Sequence, residues 1–280
     1  MSKSSAEFRD KTYQLSESNA CHLSVQVDRD AFSYSITEAD SGVVRAVYRY
    51  TGVGNPLESS WKESLRDIED LQQEYRSAVI AVNHVPFVLL PASLDEEVGS
   101  EEVFKANFNS DPANLCTAVV TEGKINIAFD MPPGLDEEFH LRQPYAIVTH
   151  SGAMMIRSIL QRHRFSKGTT CYLNITESAM EVVVLKDNRL ELYNWFPYLT
   201  RNDVLYHLVN IASQLGFDPG LTPVHITGIV DSGDETFELL KTYWPKLSLL
   251  YSLDSVKLSL GLHGVRKPYF SSLFNLFACV

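Results

Sequence analysis

The sequence predicts an α/β protein of two lobes, each a mixed sheet with helices. Three observations carry that prediction. Residues 169–230 read as three short strands, a capped helix and one more strand; the same order of elements occurs upstream; and the two copies keep a nearly constant spacing. First strands begin at 23 and 171 and second strands at 32 and 180, both pairs 148 residues apart. Few residues are shared, so what repeats is the pattern. A chain of 280 residues has room for about two domains, and 45% hydrophobic with 21% charged residues is the composition of a folded chain.

In chain order, residues 1–19 are polar and read as a flexible or edge-docked tail, and the first lobe runs over 20–165. Leu23–Val27 and Phe32–Ile36 alternate as strands do, and Val43–Tyr50 supplies a third. Asn55, Pro56 and Glu58 form a helix start of cap, first-turn proline and capping-box acid. Leu57, Trp61, Leu65, Ile68 and Tyr75 then trace a helical stripe, and Ala78–Val82 is the strand that follows. Residues 85–130 look inserted: a strand over Pro86–Pro91, a helix over Glu101–Phe108, and a hairpin of Leu115–Val120 and Lys124–Phe129 turning at Glu122-Gly123. A short helix over Leu135–Leu141, a strand over Tyr145–Val148 and a helix over Ala153–Gln161 close the lobe.

The second lobe spans 166–280. Its strands are Cys171–Ile175, Met180–Leu185 and Leu190–Trp195, the last two joined by Asp187-Asn188, residues that tolerate left-handed backbone. Thr200 and Asp203 make a capping box. Val204, Leu208, Ile211, Ala212 and Leu215 form one apolar stripe, and Gly216 stops the helix. Val224–Ile229 reads as a buried parallel strand. Ser232 with Glu235 suggests another capping box, Lys246–Tyr251 a last strand and Val256–Leu260 an edge strand. Phe270, Leu273, Phe274 and Phe277 give a C-terminal helix one apolar face, which needs the protein or a partner to cover it.

Composition excludes some functions. A net charge of −11 without a cluster of Lys and Arg argues against a nucleic-acid partner. No apolar run approaches the ~20 residues of a membrane span, and residues 1–19 hold no signal-peptide core. The four cysteines have no paired spacing, and Cys21 and Cys171 fall beside first strands as buried thiols would. The expectation is a cytoplasmic protein.

The order of elements, met twice, resembles the duplicated ribonuclease-H-like fold of actin, sugar kinases and the chaperone ATPases. Tyr193-Asn194-Trp195-Phe196 followed by Asn202-Asp203-Val204-Leu205-Tyr206 and Gln214-Leu215 looks like a bacterial family known as a domain of unknown function with an actin-like ATPase fold. That resemblance covers most of the chain and implies a fold without an activity. It directs attention to two hairpin turns that in actin-like ATPases hold phosphate and magnesium, where glycines let backbone N–H groups approach the anion. Here the first turn, Val27–Phe32, keeps Asp28 but has no glycine and adds Asp30; the second, Asn174–Ala179, keeps Thr176 but has Glu177 and no glycine. Gly228 and Gly233 remain where an adenosine loop belongs. Asp28, Thr176 and Gly228 are therefore the candidate remnants of an ATP–magnesium site. Asn194, Asp203 and Tyr206 are a candidate polar cluster at the lobe interface, against the plainer reading of a helix cap and a buried tyrosine.

Other chemistries have weaker support. A ribonuclease-H-type nuclease needs converging carboxylates, for which Asp28 or Asp30, Glu63 or Asp67, and Asp95 can be named, yet the fourth strand ends Asn83-His84 and the acids Asp67, Glu69 and Asp70 read as a solvated face. His140, His150 and His163 lack metal-ligand spacing. Thr149–Gly152 lacks the glycines of a nucleophile elbow, leaving Ser151 as a helix cap. The reading is a non-catalytic scaffold acting through a protein partner or self-association, by analogy with actin-like pilus and secretion-assembly components, with a nucleotide-binding protein or weak ATPase using the cleft between the lobes as the alternative. Its contact surfaces are expected on the insertion and the C-terminal helix.

Overall fold

The computed structural model describes residues 4–29, 31–51, 65–165, 167–250 and 256–279. It divides into one unit of residues 1–157, 254–265 and 273–280 and another of 158–253 and 266–272. The C-terminal stretches 254–265 and 273–280 thus cluster with the first unit, whereas the sequence suggested a second lobe running unbroken from 166 to 280.

The leading segment, expected to be a flexible or edge-docked tail, docks on a sheet edge as a strand. β1 (Ser4–Arg9) pairs antiparallel with β4 (Val43–Thr51), and a 3-10 turn over Leu15–Ala20 leads into β2 (Cys21–Val27). β2 and β3 (Ala31–Glu38) bury nearly every residue on both faces, which places them at the sheet centre. β5 (Ser77–Val82) runs parallel to β2. The start signal at Asn55, Pro56 and Glu58 lies outside the described residues. Residues 65–67 are helical, but Glu69–Gln72 is a 3-10 turn and Tyr75 follows it in a loop, so the helical stripe does not extend to Tyr75.

The insertion carries β6 (Phe87–Pro91), α1 (Ala92–Val98), α2 (Ser100–Phe108), β7 (Leu115–Val120) and β8 (Ile125–Asp130). Its sheet has the order β6-β8-β7, with Val88, Leu90, Phe104 and Ala128 as a small core. α1, which periodicity missed, buries none of its residues. α3 (Leu135–His140), β9 (Ile147–His150) and α4 (Ser151–Arg162) follow. β9 starts two residues later than expected, because Tyr145 belongs to a turn.

In the second unit β10 (Thr169–Ile175), β11 (Ala179–Lys186) and β12 (Arg189–Pro197) form the predicted meander. Asp187 and Asn188 take φ of 50° and 61°, the left-handed turn their side chains tolerate. α5 (Arg201–Leu215) starts at the Thr200–Asp203 capping box and ends at Gly216 with φ 68°. β13 (Val224–Gly228), α6 (Glu235–Tyr243) and β14 (Leu247–Leu249) complete it. The cap of α6 is Asp234, not Ser232. Cys171, Leu173, Val182, Val204, Leu208 and Trp244 are at the centre of the core.

Back in the first unit, β15 (Lys257–Leu258) pairs parallel with β4 at Val43 and Val44. The expected C-terminal helix is a 3-10 turn over Lys267–Phe270, one short helix, α7 (Ser271–Asn275), and a second 3-10 turn over Leu276–Cys279. Its apolar side is used within the protein: Phe277 stands edge-on to His22 of β2 with ring centroids 5.5 Å apart. The main sheet has seven strands in the order β1-β4-β3-β2-β5-β9 with β15 added on β4, and the second unit's sheet has five, β12-β11-β10-β13-β14. Strands β4-β3-β2-β5-β9 and β12-β11-β10-β13-β14 share one order and one pattern of sense, antiparallel on the meander side and parallel on the other.

Candidate functional site

The first hairpin turn closes with the Asp28 N–H donating to the Ala31 carbonyl at 2.8 Å. Sheet register then decides what surrounds the carboxylate. Gln26 is opposite Ser33, and Ser33 is opposite Arg49, so a row of polar side chains crosses β2, β3 and β4, and Asp28 sits two residues along from Gln26. The Gln26 amide donates to both Asp28 oxygens, at 2.9 and 3.1 Å. The Arg49 guanidinium lies 3.6 Å from Asp28 Oδ2 and donates to Ser33 Oγ at 3.0 Å. Asp28 is 0% exposed and Arg49 6%. A carboxylate held this way has its charge balanced and its lone pairs occupied, and magnesium would have to displace those partners. Asp30 lies outside the described residues.

The neighbouring parallel strands bring further polar groups to their C-terminal ends, where open α/β sheets bind ligands. The Asn83 N–H donates to the Val27 carbonyl at 3.0 Å, and the His84 N–H, at φ 56°, donates to Asn83 Oδ1 at 3.0 Å. His150, at the end of β9, is buried between Phe87 and Phe129, with centroids 5.2 and 5.4 Å away. Burial lowers its pKa to about 3, leaving a neutral ring whose Nδ1 accepts from the Gly152 N–H at 3.0 Å. His150 therefore meets the start of α4, the role expected of Ser151.

The second turn is held by a single threonine. Both the Thr176 N–H and its hydroxyl donate to the Ala179 carbonyl at 2.9 Å, and the Tyr198 hydroxyl donates to the Thr176 carbonyl at 2.5 Å. Glu177 accepts from the Tyr269 hydroxyl at 3.3 Å. Gly228 is the ladder partner of Ile175, so it stands beside Thr176 at the same end of the sheet. Its φ is +96°, and a Cβ there would lie 2.0 Å from the Ile175 carbonyl oxygen. The close approach of β10 therefore requires this glycine without reference to a phosphate. Asp28 belongs to the other unit.

Asn194, Asp203 and Tyr206 have separate local duties. Asn194 is exposed on β12, its Oδ1 accepting from the Trp195 N–H at 2.9 Å. Asp203 Oδ2 accepts from the Leu199 and Thr200 N–H groups at 3.0 and 2.8 Å, and these bonds lower its pKa. Tyr206 is 66% exposed, so it is not the buried tyrosine of the plainer reading. The buried tyrosine is Tyr193, whose hydroxyl donates to Glu181 at 3.0 Å; burial first, then the Glu181 charge, raises its pKa. Glu181, 1% exposed, also accepts from the Asn174 amide at 2.5 Å. The sequence signal for this missed network was a single acid inside the otherwise apolar run Met180–Leu185.

Asp70 is a second correction. It is 5% exposed rather than solvated, takes two bonds of 2.9 Å from Arg9 and one of 2.8 Å from the Tyr34 hydroxyl, and so ties β1 and β3 together. The other nuclease candidates do not converge: Asp67 is exposed, Asp95 accepts from Asn126 at 2.6 Å, and Glu63 lies outside the described residues. Among the described residues no group of three or more His, Cys, Asp or Glu is placed to hold a metal, and no helix is long and apolar enough to cross a membrane.

The chain is similar to a solved Bacteroides thetaiotaomicron protein with an actin-like ATPase fold and unknown function, at 19% identity and a TM-score of 0.75, over 85% of this chain and 94% of that one. It is also similar to the PilM–PilN type IV pilus biogenesis complex, at 11% identity and a TM-score of 0.64, over 92% of this chain and 98% of the matched one. At such identities the likeness establishes the fold, which is that of the actin-like ATPases. No curated protein sequence matches the chain. Residues 10–247 match the family described as protein of unknown function, DUF3822, and the chain belongs to that family.

Proposed function

We propose that this is a non-catalytic protein of actin-like fold that works in the cytoplasm by binding protein. The observation that carries the reading is the state of Asp28. The one acid retained at a phosphate turn is fully buried, bonded by Gln26 and paired with Arg49, and is thereby committed to structure. Thr176 closes its own turn and Gly228 accommodates Ile175, so each candidate nucleotide residue has a structural occupation. A structural neighbour that forms a pilus biogenesis complex supports a platform role for the fold. The buried thiols Cys21 and Cys171, raised by burial to about 11 and about 12, suit a reducing compartment where they stay protonated.

A thermal melt with and without millimolar Mg-ATP tests this. A ligand at 100 times its dissociation constant stabilises a fold by about 2.7 kcal/mol, a shift of roughly 5 °C or more for a chain of this size. The expected result is no magnesium-dependent shift. A clear shift reinstates nucleotide binding at Asp28, Thr176 and Gly228.

A further inference from the structure

The most exposed tyrosine among the described residues belongs to one of its most firmly held turns. Residues 143–146 form a turn closed by the Ala146 N–H donating to the Gln143 carbonyl at 3.0 Å, with Pro144 in the second position. Gln143 is buried and donates from its amide to the Gln73 carbonyl at 2.6 Å. His140 Nε2 donates to the Ala146 carbonyl at 3.1 Å. The turn is thus clamped on both flanks, and it carries Tyr145 at 95% exposure. Leu141, 73% exposed, and Ile147, 43% exposed, flank it. An aromatic side chain presented on a held turn spares the backbone part of the ordering cost on binding, a property of an interface anchor.

Beside this knob is a hole. A cavity of about 210 Å³ opens between the entry to β5 and the same turn, lined by Glu74, Tyr75, Arg76, Arg142, Pro144 and Tyr145. Arg76 is paired with Asp40 at 2.6 Å. Glu74 and Arg142 are exposed, and neither forms an ion pair among the described residues. One rim therefore carries a knob, a hole, a free acid and a free base.

We infer that this face is a two-fold interface between two copies of the chain, with Tyr145 of each copy seated in the other's cavity and Arg142 of each facing Glu74 of the other. In an isologous contact every residue must find its complement on the same patch, and this patch holds both members of each pair. Charge selects the occupant. Copies with a net charge of −11 repel each other, which favours a contact on a patch where charge is locally balanced, as it is on this rim. A strongly acidic or strongly basic partner would leave one of the two free charges opposed. The inference deepens the protein-binding reading by naming its partner, yet nucleotide melts and self-association are separate measurements, so either can fail alone.

Sedimentation equilibrium of the full chain tests it. The wild type is expected to dimerise with concentration, and Tyr145→Ala to raise the dissociation constant at least tenfold. Arg142→Glu and Glu74→Arg should each weaken the dimer, and the double reversal should restore it, since the pair is then re-formed with its charges exchanged. Arg142, Glu74 and Tyr145 are exposed, and unchanged far-ultraviolet circular dichroism will show that the variants fold. A wild type that stays monomeric up to about 1 mM overturns the proposal. So does a dimer that Tyr145→Ala and both reversals leave untouched, while weakening without rescue overturns the Glu74–Arg142 pairing.

Discussion

Asp28 shows how one residue type can point to chemistry and serve structure. A carboxylate after the first strand is visible in the sequence; that Gln26 and Arg49 occupy it is not, because Arg49 reaches it only through the pairing of β3 with β4. Removing Asp28 takes a carboxylate away from within 3.6 Å of a guanidinium 6% exposed, a change that costs on the order of 3–5 kcal/mol at buried pairs. Asp28→Ala is therefore expected to destabilise the chain by that order in urea unfolding, and Arg49→Met added to it should recover a large part. A single variant costing under about 1 kcal/mol would show that the pair does not hold the sheet together. Asp70 teaches the same lesson: beside Asp67 and Glu69 it reads as solvated, and only the fold brings Arg9 and Tyr34 to it.

Elements with strong local signals were legible. The meander β10–β12, the Asp187-Asn188 turn and the capped, glycine-ended α5 each carry their own start and stop residues. β1 had only a short signal, the alternation of Ala6 and Phe8 with Glu7 and Arg9, and its place is set by the open edge of β4. Deleting residues 1–9 removes that strand and the Arg9–Asp70 pair, leaving a carboxylate 5% exposed with the Tyr34 hydroxyl as its neutral partner. The truncated chain is expected to melt about 10 °C lower and to aggregate through the bared edge of β4. Equal melting and a monodisperse truncation would mean that β1 contributes nothing in solution. α1 escaped notice for the opposite reason, since a helix that buries no residue needs no apolar period.

At the scale of the whole molecule, His22 and His150 contribute to the response to acid. His22, held between Ser77 at 2.9 Å and Ser24 at 3.1 Å, is lowered by burial to about 4, and His150 to about 3. A depressed histidine stabilises the fold fully above its unfolded pKa of about 6.5, where it is neutral in both states. That stability drains as pH falls, because the unfolded chain binds the proton first, and for His22 the loss is complete near 4. Urea midpoints should therefore fall between pH 7 and 5, with His22 worth on the order of 3 kcal/mol over its full range. His22→Gln keeps a hydrogen-bonding side chain that does not titrate, so its midpoint should fall less steeply. Parallel slopes for the two proteins would mean that His22 is not neutral and buried in solution.

By itself the sequence determined the class and plan of the protein, because strand alternation, helical period, caps and turns are local and each element carries its own. It also determined that both phosphate turns had lost their glycines, since the type of a turn residue is readable without its neighbours. The tertiary structure alone decided which polar groups are spent. Asp70 and His150 find their partners in segments far apart in the chain, Asp28 and Glu181 find theirs along or across adjoining meander strands, and the return of residues 254–265 and 273–280 to the first unit is likewise a long-range choice. Burial and pairing depend on register and on contacts between distant segments, which no local pattern of residues encodes.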